Sequence, residues 1–242
     1  NGTGLIIDEA DDARYPAGMP RTARVAPGGM RFHVLNRGVG RMPLFAKEGD
    51  YEAFERMIEK TLETRPMRIC ADCLMPNHWH FVLWPERDGQ LGDFLQKLGV
   101  THVRNWQEHH RRVGYGHVYQ GRYKSFPVET EEYFYQLVRD GERNALRAKL
   151  VRHAEDWRWC SLWRRQCGGL KGVSWLSDWP LPIPRDWPTL VNEPQTDAEL
   201  EAIRRSVLRS QPYGSDAWVR ATAHDLGLES TLRARGRPRR TE

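Results

Sequence analysis

"CLMPNHWHFVLWP", residues 73–85, sets two histidines one residue apart inside an otherwise apolar run. In a β-strand residues i and i+2 point to the same face, so His78 and His80 project side by side while Trp79 faces the other way. Two imidazoles facing one way can share a metal, and imidazole suits Zn, Mn, Fe or Cu. A catalytic metal would need at least one more ligand and an open position. The plainer reading is a pair of hydrogen-bonded histidines at a strand edge. The stretch also anchors the fold, because "MRICADCLM" (67–75) and "HWHFVLWP" (78–85) read as two strands joined by a turn at Pro76-Asn77.

Working outward, "MRFHVLNRG" (30–38) alternates as a strand ending at Gly38. "DYEAFERMIEKTLET" (50–64) places Phe54, Ile58 and Leu62 at i, i+4 and i+8 behind an Asp50 cap, a helix stopped near Pro66. A second helix is expected over 91–112, with Phe94 and Leu98 on its apolar side. A fourth strand is expected over "GRYKSFPVE" (121–129), at an edge because Pro127 cannot donate to a ladder. Residues 130–152 read as a helix carrying Phe134, Leu137, Val138 and Leu146, capped by Thr130 and interrupted by Gly141. The order strand, helix, strand, strand, helix, strand, helix describes an α+β fold, an antiparallel sheet with helices packed on it.

The ends differ in texture. Residues 1–18 are acidic and patternless and are expected to be a disordered or wrongly assigned leader, so the main domain is expected over 19–165. Residues 166–195 read as a Pro- and Trp-rich connection, and 196–242 as a small helical appendage. The appendage ends in "RARGRPRR" (233–240), five arginines in eight residues around Gly-Arg-Pro. Arg235, Arg237 and Arg239 there look like an AT-hook, a segment that lies in the minor groove of A·T-rich DNA; the alternative is a solubilising terminus.

The 242 residues carry a net charge of +5, which favours a phosphate-bearing partner. No stretch approaches the roughly 20 consecutive apolar residues of a membrane helix, and no secretory signal is visible. The four cysteines read as reduced thiols of a cytoplasmic protein. Cys70 and Cys73 form a C-x-x-C, but on a regular strand that spacing sends them to opposite faces, which argues against zinc. A third metal ligand can come from the helix over 130–152, where Asp140 and Asn144 stand four apart on one face; both also read as ordinary solvated residues. Arg122, Lys124, Arg139, Arg143 and Arg147, interleaved with Tyr119, Tyr123 and Phe126, suit a single-strand or hairpin DNA binder, or else a solvated helix face and a packed strand.

"LMPNHWHFVLWP" (74–85), "YQGRYKSFPV" (119–128), "RNALRAKLV" (143–151) and "AEDWRWCSL" (154–162), in that order, resemble the REP-associated tyrosine transposases, a branch of the single-tyrosine HUH transposases. The resemblance runs from about Arg21 to Trp163. It implies a ferredoxin-like HUH fold and a substrate of single-stranded or hairpin DNA. It further implies a divalent metal, Mg²⁺ or Mn²⁺, held by His78, His80 and Asn144 against the scissile phosphate. A tyrosine on the later helix attacks that phosphate in this family, and a free 3′ hydroxyl resolves the link by strand transfer. Here the matching helix reads "RDGERNALRA" (139–148), so Asp140 stands in the nucleophile's place. Tyr133 lies about 10 Å away along the helix axis, and Tyr135 points elsewhere, so neither replaces it. Asp140 reads instead as an extra metal ligand. Three functions follow: a transposase-family enzyme with its tyrosine step impaired, a non-catalytic hairpin-binding protein, or a metal-dependent nuclease using water. The family contains monomers and homodimers, and this chain is expected in the cytoplasm, associated with the nucleoid.

Overall fold

The structure is a computed structural model that describes residues 25–167 and 175–233. Four strands, β1 (Arg31–Arg37), β2 (Arg68–Met75), β3 (His78–Trp84) and β4 (Lys124–Val128), form one antiparallel sheet in the order β2-β3-β1-β4. β4 lies at the edge, as Pro127 requires. Tyr213 covers that edge, donating its N–H to the Pro127 carbonyl at 2.9 Å and accepting from Glu129 N–H at 2.8 Å.

Alternation along the strands sorts the core into two layers. Phe32, Val34, Leu74, Trp79, Phe81 and Leu83 face α1 (Glu48–Thr64) and α2 (Gln90–His109), burying Phe54, Ile58, Phe94 and Leu98. Each such side chain contributes about 1.5–3 kcal/mol on leaving water. Leu35, Val82, Phe126 and Val128 face α3 (Glu132–Glu142), which supplies Phe134, Leu137 and Val138. The chain returns over this second face through α5 (Ser161–Cys167), α6 (Trp187–Asn192) and α7 (Asp197–Arg209), with α8 (Asp216–Asp225) beyond. Trp179 and Trp187 join the second layer, so the Trp-rich connection is part of the core.

Four local expectations change, one of them the Thr130 cap: α3 begins at Glu132 behind Glu131, with no side-chain cap bond. The first helix begins at Glu48, and Asp50 is its third residue; its carboxylate accepts the N–H groups of Ala46 and Lys47, so it closes the turn from inside. The helix expected over 130–152 ends sooner. After α3 one more turn, α4 (Asn144–Arg147), completes it, and then Lys149 adopts φ 59° while Leu150 N–H reaches back to the Ala145 carbonyl. That backward bond satisfies an end carbonyl and stops the helix. Finally, a register shift between Ile69 and Ala71 makes Cys70 an extra residue in β2. The bulge puts Cys70 and Cys73 in the same layer instead of on opposite faces. Among the described residues neither belongs to a three-ligand metal cluster.

Candidate metal centre and nucleic-acid face

β3 presents His78 and His80 on the α3 face and turns Trp79 into the α1 layer, as the period of two demands. Their ring centroids lie 5.0 Å apart at 81°. The row below them comes from β1, where His33, Leu35 and Arg37 share that face; Leu35 pairs with His80 and Arg37 with His78. His33 Nε2 lies 3.1 Å from His80 Nδ1, and the two rings stack. His78 Nδ1 lies 2.6 Å from Asn77 Oδ1. The Asn77 amide oxygen can only accept, its NH₂ being turned to the Arg41 carbonyl, so His78 Nδ1–H donates to it and Nε2 keeps the lone pair.

All three imidazoles are held neutral. Burial pushes His33 down to about 4 against the pull of Asp140, and burial with Arg37 and Arg147 nearby pushes His78 down to about 3. Burial with His78, His33, Arg147 and Arg37 around it holds His80 well below the usual histidine value. His80 Nε2 is a buried atom with no hydrogen-bond partner among the described residues. In the tautomer in which His80 donates Nδ1–H to His33, that nitrogen carries a lone pair and nothing to give it to, as a metal ligand does before its metal; His33 Nδ1 is likewise without a partner among the described residues.

The helical wall is charged. Asp140 and Asn144 are almost fully buried, and Arg147 clasps both: its guanidinium donates to Asp140 Oδ1 at 2.6 Å and to Asn144 Oδ1. The shared face expected of positions 140 and 144 is therefore present, with Arg147 one turn further on. Asn144 Nδ2 is a second buried atom without a partner. Asp140 does not join the two histidines within 4.8 Å; among the described residues the one His, Cys, Asp or Glu group that meets this distance is Asp50, His109 and His110 on the opposite face of the sheet. There Lys47 Nζ stands 3.1 Å from His109 Nε2, and Arg56, Lys60 and Lys97 line the same groove, so its charge opposes a cation.

The remaining basic residues divide. Arg122 is exposed, and Lys124 is half-buried opposite Leu35, two strands from His80. Arg139 and Arg143 point to main chain: Arg139 donates to the Glu193 and Pro194 carbonyls at 2.9 and 3.1 Å, and Arg143 to those of Val191, at 2.9 Å, and Asn192. They fasten the end of α3 to the last residues of α6 and the chain just after it. Arg235, Arg237 and Arg239 lie outside the described residues. Tyr135 donates its hydroxyl to the Pro182 carbonyl at 2.6 Å, while the Tyr133 ring packs on Tyr213. Neither phenol is directed at the histidines.

His33 and Arg37 complete the site and were not singled out in the sequence. Their trace was present in "MRFHVLNRG", where both fall on the same parity as Leu35 on a strand that otherwise selects apolar residues.

No curated protein matches this chain. A solved structure of a REP-associated tyrosine transposase bound to a REP hairpin shares its fold, with a TM-score of 0.51 at 21% identity, over 66% of this chain and 93% of that one. The family model described as "Transposase IS200 like" matches residues 28–138, from the turn before β1 through most of α3. Over those residues, which carry the paired histidines and the sheet, the chain is similar to the IS200-like transposases.

Proposed function

We propose that this protein binds single-stranded or hairpin DNA across the histidine face, holds Mg²⁺ or Mn²⁺ with His78, His80 and Asn144, and is impaired in the family's strand cleavage and transfer. The observation that carries this is the carboxylate at position 140, buried and paired with Arg147 at 2.6 Å where the resemblance calls for a phenol. A carboxylate attacking a phosphodiester would give a mixed anhydride, whereas a phenolate gives a stable, reversible ester. Bound there, the ion would supply Lewis-acid polarisation of a phosphoryl oxygen. The chain's own residues do the rest: His33 orients His80, Asn77 fixes the tautomer of His78, and Arg37 with Lys124 brings positive charge to the row where a phosphate would lie. Arg122 and the tail arginines Arg235, Arg237 and Arg239 extend the contact along the DNA. The domain over 19–165 is the strand-handling unit, with 196–242 as its DNA-binding appendage. It acts at the nucleoid, as a monomer or homodimer.

The orphaned Nε2 of His80 favours a working metal site over simple packing, and the Asp140–Arg147 pair favours hairpin binding over turnover. The test is incubation with Mn²⁺ or Mg²⁺ and a labelled single-stranded hairpin, followed by a denaturing gel. The expected result is no protein-linked label for the unaltered chain and a linked band for Asp140→Tyr. A linked band from the unaltered chain would overturn the assignment of position 140, and shortened free DNA dependent on His80 would instead establish hydrolysis by water.

A further inference from the structure

Between α2 and β4 the chain leaves the body at His110 and returns at Val118. Tyr115 at the tip is 77% exposed, the most open of the large apolar side chains among the described residues, and Val113 beside it is 65% exposed. A loop that only joined two elements would have no use for an outward phenol ring. Its flanks are basic: Arg111, Arg112, His117 and, past the turn, Arg122 are all exposed. No acidic side chain pairs with Arg111, Arg112 or Arg122 among the described residues.

The tip is held in shape. Tyr115 N–H donates to the Arg112 carbonyl at 3.1 Å, Arg112 N–H to that of Gln107 at 2.8 Å, and the Gln107 side chain to that of Gly116 at 2.9 Å. Gly114 at φ 87° and Gly116 at φ 101° make the two reversals that leave Tyr115 facing outward. The foot of the loop abuts the histidines: Val39 N–H donates to Val118 O, Gln120 N–H to Arg37 O, and Gly38 N–H to Asn77 O. Arg37 is the residue paired with His78. Val118 is three positions on from Tyr115, at most about 10 Å of extended chain.

We propose that Tyr115 is a stacking platform for an unpaired base of the DNA strand that crosses the histidine face, with Arg111, Arg112 and Arg122 holding the phosphates on either side. An exposed ring among guanidiniums, rigidly mounted, matches what a single strand offers: a π-face on every base and a charge on every linkage. Duplex DNA presents its charges but not its base faces. The proposal rests on the DNA-binding reading above and adds which side chain distinguishes unpaired from paired DNA.

The test uses the full chain and two labelled probes, an oligothymidylate and a blunt duplex, with binding followed by fluorescence anisotropy. Tyr115→Ala is expected to weaken oligothymidylate binding by about 5- to 150-fold, the range for one lost base stack, and to leave duplex binding unchanged. Tyr115→Phe and Tyr115→Trp should bind like the unaltered protein, since stacking needs the ring and not the hydroxyl. If Tyr115→Ala binds the single strand undiminished, or loses both probes equally, the platform is refuted while DNA binding stands. If the unaltered protein binds neither probe, the DNA-binding reading fails and the platform fails with it.

Discussion

The two faces of the sheet each bury a histidine, and the contrast between His102 and His80 shows what marks a site. Both are about 3% exposed. On the α1 face, Trp79 Nε1–H donates to Tyr119 at 2.8 Å, and the Tyr119 hydroxyl lies 2.6 Å from His102 Nδ1, among the rings of Phe45 and Phe54. That chain uses each donor once and leaves no buried atom of His102 without a partner. On the α3 face His80 has one ring nitrogen against His33 and the other against nothing, with Arg37 and Arg147 in electrostatic range. Burial is the same; the difference is an uncommitted nitrogen. A protein interior tolerates such an atom where something from outside completes it.

The largest loss is expected where buried charges tie the two layers together, between α5, α1 and β2. Arg164 of α5 pairs with Glu55 at 2.7 Å and with Asp72 at 3.2 Å and is itself 6% exposed. Arg164→Ala leaves two carboxylates without their cation in a desolvated place, and the expected loss is about 3–5 kcal/mol, read from urea unfolding. A loss below about 1 kcal/mol would mean that water reaches the cluster and that this junction is less closed than its burial implies.

The two histidines themselves give the sharpest form of the contrast. His102→Ala should cost about 2–3 kcal/mol, through a cavity and a Tyr119 hydroxyl left unpaired, and should leave Mn²⁺ affinity unchanged. His80→Ala should cost less stability, since its Nε2 holds nothing, yet abolish Mn²⁺ binding measured by calorimetry. His33→Ala should weaken the metal by about 10- to 100-fold, as loss of a group that orients a ligand does. Equal effects of His80→Ala and His102→Ala on both readouts would erase the distinction.

How much of this was readable beforehand follows from the range of the interactions. The strand over 78–84 and the outward pair His78 and His80 were legible because alternation is local. So were Pro127 at an edge and the common face of Asp140 and Asn144, which depend on one residue's chemistry or on one helix. The bulge at Cys70 was not: a single inserted residue reverses the parity of everything before it, and nothing in "MRICADCLM" announces it. Nor was the fate of Arg139 and Arg143, whose partners are main-chain carbonyls some fifty residues away. Arginine on an amphipathic helix reads as surface charge until the segment that covers it is in place.

Acid should act on both faces, through His33, His78 and His80 on one and through His102 on the other. Burial pushes His102 down to about 3 in the folded protein, against about 6.5 when unfolded. The unfolded chain therefore takes up a proton below pH 6.5 that the folded one refuses. This stabilisation is complete above pH 6.5 and is lost as pH falls from 6.5 toward 3, by up to about 1.4 kcal/mol per pH unit. His102→Gln, melted across pH 7 to 5, should show a shallower fall in Tm than the unaltered protein. Parallel curves would place the acid sensitivity elsewhere.

One group of the α3 face, Glu142, runs the other way. Glu142 is 1% exposed, and burial raises its carboxyl to about 7 although Ser161 Oγ–H and Trp187 Nε1–H both donate to it. Here the folded form holds a proton that the unfolded chain, near 4.5, has already released. The resulting stability is full below pH 4.5 and declines as pH rises to about 7, the reverse of His102. Glu142→Gln removes the titration but can accept from Trp187 with one atom only, so Ser161 must turn to accept from the new amide. Relative to the unaltered protein the variant is therefore expected to gain stability as pH rises from 5 to 8. A variant destabilised equally at both values would mean that Glu142 is ionised throughout and that Ser161 and Trp187 are bound to a charge. The wall behind the histidines would then carry one more negative group than its burial suggests.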